Sequence, residues 1–259
     1  MRISIKFFDL CFERHPYQVS IRFRQNERWY KEDFKEFVRL SGKDTAFVIR
    51  DNNPCLYDKD DSAGVMDYHY FYQDLLVAQK IFHNNPVKHV DIGSRIDGFV
   101  AHVASFRQIE LLDIRRMESN IPNVRFTQLD LMDEDNVPEN YCDSISSLHA
   151  LEHFGLGRYG DKIDPNGHLK GFKNITKMLK PGGAFYFSVP LGPQRVEFNA
   201  HRVFCLSYLV DLVSGDYDIL SFSYIDNGIL HQDVDLTDSN IRDSFGCNYG
   251  CAIFELRKK

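Results

Sequence analysis

The chain has 259 residues, 43% of them hydrophobic and 26% charged, with a formal net charge of −6. That length suits a full α/β domain with a small appendage, and the acidic balance gives no reason to expect nucleic acid as a partner. The opening MRISIKFFDLCFERHP lacks the apolar core of an export signal, and no stretch approaches the ~20 apolar residues of a membrane span.

Residues 1–65 are expected to form an N-terminal appendage with some β structure. Strand-like runs at Ile3–Phe8, Val19–Phe23 and Ala46–Ile49 alternate there with charged stretches, before the turn-rich Asp51-Asn-Asn-Pro and Asp58-Lys-Asp-Asp-Ser-Ala-Gly. Cys11, Cys55, Cys142, Cys205, Cys247 and Cys251 contain no C-x-x-C pair. This fits reduced thiols and a cytoplasmic location. Cys247 and Cys251 have no second pair to complete a tetrahedral metal site.

A regular pattern then runs over residues 66–259. Phe71, Leu75, Ala78 and Phe82 fall on one helix face, and Asn84-Asn85-Pro86 stops that helix. Strand 87–92, helix 99–106 and strands 109–113, 124–129 and 143–148 follow. Leu169, Phe172, Ile175 and Leu179 mark the next helix, ended by Lys180-Pro-Gly-Gly before strand 184–189. Leu206, Leu209, Val210 and Val213 mark another, and strands 219–225 and 251–256 finish the pattern. The alternation predicts a Rossmann-like, doubly wound α/β fold. Its mostly parallel seven-stranded sheet would end in an antiparallel C-terminal hairpin at one edge.

The stretch HVDIGSRIDGFV lies between a strand and a helix, where backbone N–H groups face a ligand. Arg95 stands where a dinucleotide G-x-G-x-x-G loop needs its second glycine. Asp113 ends the next strand, 20 residues after Gly93, placed to accept both ribose hydroxyls. Asp130 ends the third strand, placed to accept an adenine amino group. Together these suit an adenosine ligand without a pyrophosphate.

In the order VDIG, Gly98, Asp113, Asp130, SISSLHALEH and LKPGGAFYFSVP, the chain resembles the class I S-adenosylmethionine-dependent methyltransferases over about residues 68–259. It also resembles a narrower group, the uncharacterised methyltransferase-like family called domain of unknown function 268, which has members in bacteria and nematodes. HYFYQDLLVAQKI, HVDIGSRIDGFVAHV, SLHALEHFGLGRYGD and VPLGPQRVEFNAHRVF carry that likeness. The resemblance implies S-adenosylmethionine as cofactor, held by Asp91, Gly93, Ser94, Arg95, Gly98, Asp113, Asp130, Leu131 and Leu148. The loop departs from D-x-G-x-G-x-G: Arg95 and Asp97 replace two glycines, and Gly98 comes one residue late. Two roles are open to Arg95: crowding the methionine portion, or binding its carboxylate.

Methyl transfer to a hydroxyl benefits from a base, and His149 and His153 just past the fourth strand are the candidates. Arg158, Tyr159 and Asp161 stand in a polar, glycine-rich loop suited to gripping a sugar or phosphate. Asn199, His201 and Arg202, with Arg195 and Glu197, follow the fifth strand at the same edge and read as a pocket wall. Tyr68, His69, Tyr70, Tyr72 and Gln73 open a helix expected to cover the cofactor or acceptor. His201, His231, Asp233 and Asp235 have no diagnostic metal spacing and read as a solvated loop, so no metal is expected. The sequence therefore points to a methyltransferase acting on a small polar or carbohydrate acceptor, by O-methylation. A non-catalytic methyltransferase-like scaffold is the rival, motivated by the altered loop; a dehydrogenase is disfavoured by it.

Overall fold

The computed structural model describes residues 16–42, 46–60 and 62–259, leaving out the side chains of 16–24 and 60. Two units separate between Val65 and Met66. The first contains α1 (Pro16–Ser41). Val19–Phe23 lies inside this helix and is not a strand, and Ala46–Ile49 forms no strand either; Ile3–Phe8 falls outside the described residues. Helix wins because Pro16 pre-sets the first turn and no further Pro or Gly interrupts the run to Ser41. Glu27–Lys31 at 2.7 Å and Arg28–Glu32 at 3.0 Å add i,i+4 ion pairs, each contributing a few tenths of a kcal/mol.

The second unit begins with α2 (Tyr68–Asn84), capped by Asp67, whose side chain accepts the Tyr70 N–H. The helix faces the sheet with Gln73, Val77 and Ile81, flanked by Asp74, Leu76 and Ala78. The predicted face is largely the wrong one: Phe71, Leu75 and Phe82 are exposed. Two apolar stripes overlap in this sequence, and only the one rich in β-branched residues meets the sheet.

Then come β1 (His89–Ile92), α3 (Ala101–Ala104), β2 (Ile109–Asp113), β3 (Val124–Gln128) and β4 (Cys142–Leu148). They are followed by α4 (Gly167–Met178), β5 (Leu179–Leu191), and a small hairpin of β6 (Arg195–Glu197) and β7 (His201–Val203). The rest is α5 (Leu206–Ser214), β8 (Tyr217–Asp226), β9 (Ile229–His231), α6 (Asp238–Asp243) and β10 (Gly250–Lys258).

The main sheet has eight strands in the order β3-β2-β1-β4-β5-β10-β8-β9. The first five run parallel, and β10, β8 and β9 pair antiparallel. The eighth strand is β9, whose three residues are too short to show a period. The expected antiparallel C-terminal pair is present at that end of the sheet as β8 and β10, with β9 added outside β8. β10 inserts between β5 and β8, pairing Phe254 with Phe187 on one side and Phe222 on the other. Successive residues Ala252, Ile253 and Phe254 are all buried, the mark of a strand covered on both faces. Phe185, Phe187 and Val189 enter one apolar cluster while Tyr186 enters the other, following the period of two.

Candidate active site

The strand order reverses between β1 and β4, so the chain leaves their carboxyl ends in opposite directions and a crevice opens there. The cleft is lined by Gly93 after β1, Asp113 and Arg115 at β2, and Asp130, Leu131 and Met132 after β3; His149, Ala150, His153, Tyr159 and Asp161 follow β4. The space between these walls, counted with the open solvent at its mouth, is about 570 Å³.

Gly93 has φ +68°, and a Cβ there would lie 3.3 Å from that of Ala150. Its N–H donates to Leu112 O at 2.9 Å, which pins the loop to β2. Asp91 is fully buried and does not reach the cleft. It accepts the Ser94 N–H (3.1 Å), the Ser94 hydroxyl (2.9 Å) and the Ser146 hydroxyl (2.5 Å), tying the loop to β4. Burial pushes its carboxyl up to about 7, against these hydrogen bonds.

Gly98 serves packing rather than ligand approach. An added Cβ would meet Asp74 Oδ2 at 2.7 Å. The backbone at Gly98, φ −121° and ψ −113°, is not helical, so the predicted helix 99–106 shrinks to an irregular turn and the four residues of α3. Asp74 is buried on α2 and pushed up to about 6 by burial, while Gln73 Nε2 and the Phe99 N–H donate to it.

Arg95 turns to Asp97, with Nε and Nη2 at 3.1 and 3.0 Å from its two oxygens, and lies 5.6 Å from the Tyr70 ring. It lines, with Ser94 and Arg116, a second groove, and not the cleft beside Gly93. Leu148 sits in the core below. Asp130 Oδ1 accepts the Met132 N–H at 2.8 Å, and the carbonyl of Leu131 is held by Asn174 Nδ2 at 2.9 Å.

Asp113 is engaged by a residue the sequence reading passed over. Arg115 donates from Nε to Oδ1 (2.9 Å), from Nη2 to Oδ2 (2.6 Å) and from its backbone N–H to Oδ1 (2.8 Å). Its guanidinium also lies 4.5 Å from the Tyr159 ring. The signal was the D-x-R spacing at 113–115.

At the other end of the cleft, His149 adopts φ +50° and donates its N–H to Ser188 O at 3.0 Å. Its Nδ1 lies 3.1 Å from Glu152 Oε1, poorly aligned for a hydrogen bond. Tyr70 and His69 pack on the ring at 5.4 and 5.8 Å between centroids. Burial works against a charge on His149, but Cys251 and the Glu152 carboxylate raise its pKa well above the ordinary value. Glu152 is only 2% exposed, yet its neighbouring histidines outweigh burial and keep it ionised. His153 Nδ1 donates to Ala200 O at 2.6 Å, its Nε2 lies 3.7 Å from Glu152 Oε1, and Tyr159 meets it edge-on. Burial lowers the pKa of His153, and burial followed by His149 holds His69 down to about 4.

The expected substrate-binding residues divide. Tyr159 lines the cleft, and Asp161 knots its loop by accepting the N–H groups of Gly155, Gly157 and Tyr159 at 2.8–3.1 Å. Arg158 Nη1 donates to Ala200 O at 2.9 Å. Arg202 is buried, and its donors are taken by the carbonyls of Phe154 (2.6 Å), Glu152 (3.2 Å) and Pro165 (3.2 Å). It braces the backbone around the two histidines with three of its five N–H groups, and it does not line the cleft. Asn199 is exposed in the β6–β7 turn, and His201 packs on Tyr249 at 5.5 Å; neither lines the cleft. Tyr249, which also packs on His69, carried no spacing signal because it arrives from the far end of the chain. Among the described residues no group of three His, Cys, Asp or Glu is placed to hold a metal, and no helix is long and apolar enough to cross a membrane.

The family described as Caenorhabditis protein of unknown function, DUF268, matches residues 98–258, more than half of the chain. No curated protein matches it. Among solved structures, the [4+2]-cyclase SpnF is similar with a TM-score of 0.52 at 15% identity, over 72% of this chain and 80% of that one. The 1,6-didemethyltoxoflavin-N1-methyltransferase of Burkholderia thailandensis, with bound 1,6-didemethyltoxoflavin and S-adenosylhomocysteine, is similar with a TM-score of 0.51 at 14% identity, over 97% and 93%. By its family match and strand order, the chain belongs to the DUF268 family and has the Rossmann-like fold of class I S-adenosylmethionine-dependent methyltransferases.

Proposed function

We propose that Met66–Lys259 is an S-adenosylmethionine-dependent methyltransferase unit acting on a small polar acceptor, a carbohydrate or other hydroxyl, in the cytoplasm. The observation that carries this is one cleft holding Gly93, Asp113 and Asp130 at one end and His149 and His153 at the other. The residues fit the cofactor. Gly93 permits close backbone approach, Leu131 and Met132 offer an apolar wall, and two carboxylates stand at the strand ends where ribose and adenine hydrogen bonds are needed. When bound, the cofactor supplies an electrophilic methyl group on a sulfonium. The chain's own work is to hold the acceptor in line, exclude water and take a proton. His153 is the base of choice, because its Nδ1–H is committed to Ala200 O and its lone pair sits on Nε2.

Calorimetry with S-adenosylhomocysteine, S-adenosylmethionine and NAD tests the cofactor, and labelled-methyl transfer to a panel of polar metabolites and nucleotide sugars tests the acceptor. Binding of NAD alone would sink the reading. The second reading, a non-catalytic module, draws on the Arg115 clasp across both oxygens of Asp113. It would show as no binding of any adenosine ligand.

A further inference from the structure

We propose that Glu152 is the positioning residue of the acceptor end: one buried carboxylate oxygen, shared between two histidines, keeps His149 as an imidazolium and leaves His153 neutral with its lone pair on Nε2. The role given to His153 rests on the methyltransferase reading; the charge division does not.

The geometry is asymmetric. Glu152 Oε1 is 3.1 Å from His149 Nδ1 and 3.7 Å from His153 Nε2. Its other oxygen, Oε2, is buried with no hydrogen-bond partner among the described residues. A buried carboxylate with one oxygen unpartnered needs a cation beside it, and one carboxylate balances one proton. His153 already spends its Nδ1–H on Ala200 O, so a charge there requires a second proton at Nε2, beyond hydrogen-bond reach of Glu152. Arg158 also stands against a charge on His153. On His149, burial and then His69 from α2 oppose the charge, while the Glu152 carboxylate 3.1 Å away favours it. The remaining titratable groups facing Glu152 are Tyr70, Tyr249 and His201. Burial first, and then Glu152, raises both tyrosine pKa values, and burial lowers that of His201, so all three are neutral near pH 7. Opposed environments on adjacent titratable groups are how acid and base roles separate.

In methyl transfer to a hydroxyl, the acceptor oxygen gains the carbon as the sulfur–carbon bond breaks. The hydroxyl proton passes to His153 Nε2, the neutral ring's free lone pair. His149, already charged, cannot compete for that proton.

Histidine-ring NMR on the full chain tests this without any ligand. At pH 7 the expected result is a His149 imidazolium and a neutral His153 protonated at Nδ1. Glu152→Gln should lower the His149 pKa by about two units. His153, losing an anion and a neighbouring cation together, should move less. If that variant fails to fold, the wild-type ring states still decide, and His149→Gln should raise the His153 pKa by about one unit as Glu152 loses its partner. Two rings titrating together near the ordinary imidazole value, or a charged His153 beside a neutral His149, would overturn the proposal. Absence of S-adenosylhomocysteine binding with the ring states as stated would overturn only the cofactor reading.

Discussion

On the proposed cofactor reading, Asp113 and Arg115 set the terms on which an adenosine ligand would enter. Ribose hydroxyls must take the two oxygens that the guanidinium now holds. Hydrogen bonds to a charged group contribute about 1.5–3 kcal/mol each, so Asp113→Ala should weaken S-adenosylhomocysteine by tenfold or more, ~1.4 kcal/mol. Arg115→Met should do the opposite and tighten it about tenfold, because the carboxylate no longer has to be released. Calorimetry reads both; weaker binding by Arg115→Met would mean that Arg115 grips the ligand itself. Asp91 makes a pH prediction. Its folded value, about 7, lies above the ordinary 3.8, so its contribution is fully present below about pH 4 and is lost as pH rises through 7. Asp91→Asn keeps the shape, and the Ser94 and Ser146 hydroxyls can turn to accept from the amide. Urea titration should find the variant more stable than the wild type by about 4 kcal/mol at pH 8, with little difference at or below about pH 4. An equal difference at both pH values would refute the assignment. Arg95 and Asp97 are exposed partners, and Arg95→Ala should leave stability within about 1 kcal/mol and S-adenosylhomocysteine affinity within about threefold.

At the scale of elements, the junction of α2 with the loop after β1 is the most exacting contact. Gly98→Ala drives a methyl toward Asp74 Oδ2, and α2 or the loop must shift. Chemical unfolding should show a loss of about 1–3 kcal/mol, with weaker cofactor binding alongside. The strands were legible as short apolar runs between turn residues: β2, Ile109–Asp113, falls where its pattern put it and ends in Asp113 as read, whereas Asp130 lies two residues past the end of β3. The face of α2 was not legible, since Phe71, Leu75 and Phe82 are as apolar as the residues that are buried. Helix α1 was not legible either. Val19–Phe23 is rich in β-formers, and the propensity of the charged run after it prevailed. In the site, residues tied to strand ends were readable from spacing. Arg115 sits only two residues from Asp113, and what spacing left open there was the direction of its side chain; Tyr249 and the bracing role of Arg202 depend on contacts across 37 to 50 residues or more, which no local pattern carries.

For the molecule as a whole, the eight-stranded sheet, both apolar clusters and the cleft lie within Met66–Lys259. That fragment is expected to unfold cooperatively with the same midpoint in urea as the full chain, within about 0.3 M, as judged by circular dichroism. A midpoint shifted well below that would show that the first unit contributes to its stability. The place of β10 has a further consequence. The strand that joins β5 to β8 comes after α5, β8, β9 and α6, so neither neighbour can be covered until it docks. Until then two long edges stand open, and the one on β5 carries Phe185, Phe187 and Val189. Open apolar edges pair with whatever strand is near, including the same edge of another copy. Folding of this chain is therefore a race between its own β10 and its neighbours, and refolding yield should fall steeply as concentration rises, with the precipitate rich in intermolecular β-structure.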